Sequence, residues 1–577
     1  MADFITALAL GVLAQTITPG NVDRLEVAWT YRHGENPPVR GNDRLSFNAT
    51  PVLGEGKLFV VTPKGSAIAL DPFSGKQIWK VAREGEARRS WGASYAKGRL
   101  FYGTPDGKLV CLLARNGEKL WEVDLRAGLR QGHLSQNMPP AVVGDLVITG
   151  GEVPEDSEQG PDPRIRAWRQ ADGKLAWEFH TVPRDGDPAA ATWAAGSREG
   201  RTGVNVWAQC AASEAEGMLY CPTGSASYDF YGGDRLGDNL YANSVLALEA
   251  KTGKLKWRRQ LVHHDLWDYD LPAKPVLLKV GARPALAQVT KMGFVWFLDR
   301  RTGEPVFGSE ERAAAPSVAP GEKAAATQPW PVRPQPLART RLSEGDLNNL
   351  TPEWARECRE LYDSAGNAGI FAPWGKDVNT ILLPGTLGGG TWSGASYDAS
   401  RGLLFLNVNE LGIIGKLVER EGKWRRVSPT RHARFATADY VPCTLPPWNT
   451  LNAIDTRTGE VRWRAPLGEL PQAKAKGFAG TGAFGLGGAL ALPGGVVFIG
   501  GTADQHFRAF AAESGKLLWE REMAASVYAT PMSYRDAAGR EYVVVAVGGG
   551  GFFPGPLADE LVAFRVGGKP ETVKSPR

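Results

Sequence analysis

The segment His263 to Asp270, HHDLWDYD, gathers two imidazoles and three carboxylates around one tryptophan. Polar side chains this dense in a Gly-rich β pattern are costly unless they are paired, metal-bound or exposed. A carboxylate among them can take the proton of a substrate hydroxyl, and several together suit a hard cation such as Ca2+. The alternative is plain hydrogen bonding to loop backbone, which fits Asp265 or Asp270 better than Asp268. His263 and His264 make a poor pair of metal ligands, because neighbours on an extended strand point to opposite faces. Their expected part is to orient the loop.

The segment follows one unit of a repeat, and the repeat is what must position it. A short apolar strand leads into Ala-x-Asp-x-x-Thr/Ser-Gly-Lys/Glu-x-x-Trp. The pattern appears as ALDPFSGKQIW (to Trp79), CLLARNGEKLW (Trp121), AWRQADGKLAW (Trp177), ALEAKTGKLKW (Trp257), FLDRRTGEPVF (Phe307), AIDTRTGEVRW (Trp463) and AFAAESGKLLW (Trp519). Each unit is too small to bury its own face, so neighbours must stack with the aromatic wedged between them. Such a pattern predicts an all-β fold, a β-propeller, in place of the several domains that length alone suggests. The gap between Phe307 and Trp463 is expected to hold one blade without the motif, around Gly394 to Gly412, making eight. The strand at LEVAW (Trp29) is expected to pair with ELVAFRV (Glu560 to Val566) and close the ring. One propeller is therefore read over residues 17–567, with an insertion at about 308–380 and a tail at 568–577. Inside the insertion, TPEWARECRELY predicts a helix with Thr351 as N-cap and Pro352 at the first helical position.

Composition bounds the function. At 577 residues with 22% charged and 43% hydrophobic, the chain reads as an ordinary globular protein, and its 19 Trp are unusually many. A net charge of +5 without Lys/Arg runs gives no case for nucleic acid. No apolar run reaches the roughly 18 residues of a membrane span. Residues 1–16, with FITALALGVLAQ from Phe4, read either as a signal peptide lacking its basic segment or as an irregular first strand. The five cysteines include no CxxC or CxxCH. Cys210 and Cys221 flank a plausible hairpin and are either a disulfide or two buried thiols.

The repeat and HHDLWDYD together resemble the pyrroloquinoline-quinone (PQQ)-dependent dehydrogenases, from ITPGNV at Ile17 to AVGGGGFF near Phe553. PTGSASYDFYGGDRLGDNLYANS (from Pro222), KMGFVWFLDRRTGEP (from Lys291), PGTLGGGTWSG (from Pro384) and YATPMSYRDAAGREYVVVAVGGG (from Tyr528) support it. The pattern is more similar to the glucose, quinate and polyol branch than to the methanol branch, whose adjacent cysteine pair is missing. The resemblance implies an eight-bladed propeller holding PQQ in a central funnel, with Ca2+ or Mg2+ beside it; a lanthanide is the less favoured choice. It places Trp207 as the flat floor under the quinone, Asp268 as general base and metal neighbour, and Lys291 against the quinone oxygens. Asn409 and Trp392 are further cofactor candidates.

The metal ligands depart from the family pattern. Where alcohol-oxidising relatives have Asn after the PTG turn, this chain has Ser225, a weaker ligand. Asp270 resembles the second aspartate of lanthanide-using methanol dehydrogenases, but the sugar branch shares the WDxD spacing; it stands as a third candidate ligand. One acidic ligand from an earlier blade is expected near GGEVPEDSEQ, with Glu152, Glu155 and Glu158 open. The implied function is a periplasmic dehydrogenase for a sugar, polyol or cyclic hydroxy acid, passing electrons to a separate cytochrome or to ubiquinone. A simple-alcohol dehydrogenase and a non-enzymatic propeller scaffold are the competing readings.

Overall fold

The computed structural model describes residues 16–35, 45–85, 87–551, 553 and 555–567. Residues 1–15, and with them the signal-peptide reading, lie outside the described residues, as does the 568–577 tail. Strands dominate, and helices are few. Among the described residues there are seven four-stranded antiparallel sheets and one three-stranded antiparallel sheet. The first strands of successive sheets touch in chain order: Val52–Gly54, Ser94–Ala96, Ala141–Val143, Ala211–Ser213, Val276–Val280, Ser396–Asp398 and Leu490–Ala491.

The repeat has a direct physical explanation. The motif tryptophans Trp79, Trp121, Trp177, Trp257 and Trp463 each lay the ring on the glycine of the next motif and donate the indole N–H to a carbonyl there. Trp79 reaches Ala114 O at 3.1 Å, Trp121 reaches Gln170 O at 3.0 Å, and Trp257 reaches Arg300 O at 2.8 Å. A Cβ on Gly117, Gly173, Gly253, Gly303 or Gly515 would fall between 2.4 and 2.9 Å from the neighbouring sheet. All five have positive φ, so glycine is needed twice over: for the turn and for the ring above it. Phe307 docks on Gly459 in the same way, with 2.7 Å to a built Cβ.

The strands near the two ends of the chain meet as expected. Leu25–Arg32 pairs antiparallel with Glu560–Val566, Trp29 opposite Ala563. Trp29 then behaves as a motif tryptophan, its N–H bonded to Pro72 O at 3.0 Å over Gly75. One apolar cluster joins this sheet to its neighbours through Trp29, Leu58, Phe498, Phe507, Val545 and Phe564.

The expected motif-less blade is corrected. Ser396–Asp398 and Leu403–Asn409 share a sheet with Asn449–Asp455 and Glu460–Pro466, the strands of the Trp463 motif. They are the first half of that unit, separated from its second half by an excursion, and the additional sheet is the one built from the chain ends.

The predicted helix is present at Pro352–Asp363, its Thr351 hydroxyl accepting the Trp354 N–H at 3.2 Å. The inserted structure runs past residue 380. A mixed sheet of Ala365–Gly369, Asn379–Leu382, Ile413–Arg420 and Lys423–Val427 combines both excursions. A disulfide, Cys358–Cys443, fastens the helix to the second of them, and Cys210–Cys221 also forms a disulfide. Among the described residues, no helix is long and apolar enough to cross a membrane.

Candidate active site

HHDLWDYD forms no regular element, and its shape is imposed by hydrogen bonds. Asp265 accepts the N–H groups of Trp267 at 3.0 Å and Tyr269 at 2.9 Å, the Asn243 amide at 3.2 Å, and the Ser225 hydroxyl. His264 is buried, with Nδ1 donating to Gly237 O at 2.6 Å. His263 bonds Gln260 and Glu311. The inserted excursion clamps the apolar side: Trp267 donates to Ala372 O at 2.9 Å, Trp374 to Leu266 O at 2.7 Å, and the Tyr269 hydroxyl to Pro384 O at 2.7 Å. So held, Asp268 adopts φ +59°, a left-handed backbone that Asp tolerates better than most side chains.

The result is a knot of charge at the wall of a cavity of about 1180 Å3. Lys291 Nζ donates to Asp268 Oδ1 at 2.6 Å and to Asp270 Oδ2 at 2.8 Å. Trp207 donates its indole N–H to Asp270 Oδ2 at 3.2 Å, and the Lys291 ammonium lies 6.0 Å from the Trp207 ring centre. Asp270 Oδ1 accepts the Ser225 N–H at 2.6 Å and its hydroxyl at 3.0 Å. That approach requires glycine at 224, where a Cβ would sit 2.8 Å from Asp270 Oδ1.

Electrostatics separate the two aspartates. Burial raises both, but the Lys291 ammonium and the Ser225 donors bring Asp270 below the ordinary carboxylate value. Asp268 is pushed up to about 8, chiefly by burial and by Asp270, with Lys291 opposing. Burial alone would discharge Lys291, yet Asp268, Asp270 and Glu155 outweigh it and hold the ammonium charged.

Glu155 and Asp229 complete an acidic group with Asp268, one oxygen of each lying within 4.8 Å of the others. Oxygens bound to one Ca2+ at about 2.4 Å can be at most about twice that far apart, so the spacing fits a hard cation. Asp229 is 3% exposed and its Oδ1 has no hydrogen-bond partner among the described residues. Such a buried oxygen is costly unless a ligand meets it.

Asp268, Asp270, Lys291, Trp207 and Trp392 all line the cavity, Trp392 edge-on to Trp91 at 5.9 Å. Ser225 is not among the three clustered acids; its hydroxyl serves Asp265 and Asp270. Asn409 is fully buried away from the cavity, its amide tied to both the N–H and the C=O of Gly485. Of the three glutamates left open, Glu155 joins the acidic group. Glu152 bonds Asn137, and Glu158 bonds Lys423 and Arg425. Sequence reasoning missed Asp229, although it lies four residues past Ser225 in a stretch already singled out.

The chain matches the family model described as PQQ: Glucose/ethanol/alcohol dehydrogenase, beta-propeller domain, over residues 12–543. It belongs to the PQQ-dependent dehydrogenase family. Among its relatives in that family is a quinate/shikimate dehydrogenase (quinone) of Acinetobacter baylyi, 30% identical over 93% of this chain and 75% of the relative. Another is the glycerol dehydrogenase large subunit of Gluconobacter thailandicus, 30% identical over 97% of this chain and 84% of the relative. The quinohemoprotein alcohol dehydrogenase of Comamonas testosteroni shares the fold, with TM-score 0.71 at 24% identity over 98% of this chain and 79% of that one.

Proposed function

We propose that this protein is a quinoprotein dehydrogenase that oxidises a secondary or primary hydroxyl of a sugar, polyol or cyclic hydroxy acid. The observation that carries the reading is the convergence of Asp268, Lys291, Asp270 and Trp207 at one cavity wall beside Glu155 and Asp229. The eight sheets form an eight-bladed ring closed by the pairing of the chain ends, with the cavity as its funnel. Trp207 would offer the flat surface for PQQ to stack on, and Lys291 the cation for its oxygens. Glu155, Asp229 and Asp268 would hold Ca2+ or Mg2+, with Ser225 and Asp270 bracing the group from behind. When bound, PQQ supplies the hydride acceptor and the divalent cation supplies Lewis-acid polarisation.

The chain's own residues do the rest. Asp268 Oδ takes the proton of the substrate hydroxyl as the C–H hydride departs, leaving a carbonyl. Lys291 opposes the burial that raises Asp268, so that the carboxylate form is reached as pH rises through about 8, and directs positive charge to the side where negative charge accumulates. Asp270, bonded by Lys291, Ser225 and Trp207, fixes the ammonium and the floor tryptophan relative to the base. The Trp267–Trp374 clamp keeps water from the apolar side of the loop. The two electrons leave to an external acceptor, a cytochrome or ubiquinone. The two disulfides support an oxidising compartment, the periplasm.

The test is dye-linked turnover after loading with PQQ and Ca2+, on glucose, glycerol, quinate and methanol. Asp268→Asn should lose roughly 10²–10⁴-fold in kcat while PQQ still quenches the tryptophan fluorescence. A wild-type protein that turns over none of these, with no absorbance change of the quinone, refutes the proposal.

A further inference from the structure

The inserted sheet brings a charged side chain to this site that the reaction above does not use. Strand Lys423–Val427 is fastened over it at two points. Arg425 and Lys423 donate to Glu158 at 2.6 and 3.1 Å, three residues from Glu155. The Arg426 N–H donates to the Tyr228 hydroxyl at 2.9 Å, next to Asp229. The Arg426 guanidinium lies over the Phe230 ring, its Cζ 4.0 Å from that ring's centre and 5.8 Å from that of Trp374. It lines the same cavity as Asp268, and its Nη1 is buried with no hydrogen-bond partner among the described residues.

A buried guanidinium donor left unpaired is unfavourable, and neither Asp268 nor Asp229 accepts from it. The aromatic neighbours hold the guanidinium in place, and its fork of N–H donors suits a planar anion. Arg431 and Arg434, from the turn that follows, line the cavity as well and add to its positive potential.

We propose that Arg426 anchors a carboxylate of the substrate, so that this enzyme oxidises a hydroxy acid in preference to a neutral sugar or polyol. The inference rests on the dehydrogenase reading and narrows its substrate class. It assigns the inserted sheet a purpose: holding the acid end of the molecule while Asp268 faces the hydroxyl.

The experiment compares wild type, Arg426→Gln and Arg426→Lys, each loaded with PQQ and Ca2+. The ratio of kcat/KM for quinate to that for glycerol should favour quinate in wild type. It should fall on the order of 100-fold in Arg426→Gln, through KM, and recover in part in Arg426→Lys. Calorimetric titration with cyclohexanecarboxylate, which has no hydroxyl to oxidise, should show binding to wild type that Arg426→Gln loses. Cyclohexanecarboxamide should bind weakly to both. An unchanged quinate-to-glycerol ratio in Arg426→Gln overturns the anchor and leaves the dehydrogenase standing. So does a loss confined to PQQ affinity, read by fluorescence quenching, which would make Arg426 a cofactor contact. Arg426-dependent binding of cyclohexanecarboxylate with no turnover of any substrate would keep the anchor and overturn the dehydrogenase reading.

Discussion

Substituting Gly303 with alanine tests whether ring-on-glycine docking holds neighbouring sheets together and thereby positions the active-site loop. Gly303 has φ +76°, and a built Cβ meets Trp257 Cε3 at 2.5 Å and Cδ2 at 2.9 Å. The backbone cost of a left-handed alanine is about 1–2 kcal/mol. A carbon pair normally sits at about 3.5–4.0 Å, so the ring must retreat by roughly 1 Å. That overpacking costs about 1–3 kcal/mol. It also stretches the 2.8 Å bond from Trp257 to Arg300 O, worth about 0.5–1.5 kcal/mol. The total is roughly 2.5–6.5 kcal/mol.

Gly281, in the same sheet, is the matched control. It has φ +59° with nothing within 4 Å of a built Cβ, so Gly281→Ala carries the backbone cost alone. At about 2.1 cal/mol/K per residue, 577 residues give an unfolding entropy near 1.2 kcal/mol/K. Gly303→Ala should then lower Tm by about 2–5 °C, and Gly281→Ala by about 1 °C, in differential scanning calorimetry. Because Trp257 sits in Leu255–Gln260, directly before HHDLWDYD, only Gly303→Ala should also reduce turnover. Equal Tm losses in the two variants would refute the docking argument.

Two further outcomes follow from the site. Asp229→Asn should weaken cation binding roughly tenfold or more, because it removes a charged oxygen from the acidic group; calorimetric titration with Ca2+ reads it, and unchanged affinity removes Asp229 from the metal set. His264 is buried and neutral, its pKa lowered to about 3 by burial first and then by Arg235. The unfolded chain takes up that proton near 6.5 while the folded one refuses it, so the stability it contributes is lost as pH falls from 6.5 toward 3. Replacing it by Asn should flatten the stability slope between pH 6.5 and 5 by about 1 kcal/mol per unit; urea unfolding at both pH values checks it, and an unaltered slope refutes it.

The architecture was legible because its cause is local. A Gly at positive φ followed a fixed few residues later by Trp encodes both the turn and the wedge, so every docked pair could be read without knowing its neighbour. The pairing of Leu25–Arg32 with Glu560–Val566 followed from the same logic. The misplaced blade shows the limit of that reading. Leu403–Asn409 and Asn449–Asp455 are adjacent in the sheet, but an excursion separates them in the chain, and period alone cannot tell an interrupted unit from two.

The site divides along the same line. Asp268, Asp270 and Lys291 lie in segments whose composition marks them, and the structure joins them within hydrogen-bond reach. Asp229 and Arg426 carry no such mark, because what distinguishes each is an atom left without a partner among the described residues. That property belongs to the packed state: Arg426 is an ordinary strand arginine among Lys423, Arg425 and the rest until Tyr228, Phe230 and Trp374 close around it. Residues that build the fold announce themselves by repetition, whereas those that select a ligand are recognised by what the fold fails to satisfy. The inserted sheet supplies one wall of the cavity and stands apart from the ring-on-glycine docking that holds the other sheets, so under the proposed function it is where substrate choice can change without disturbing the rest.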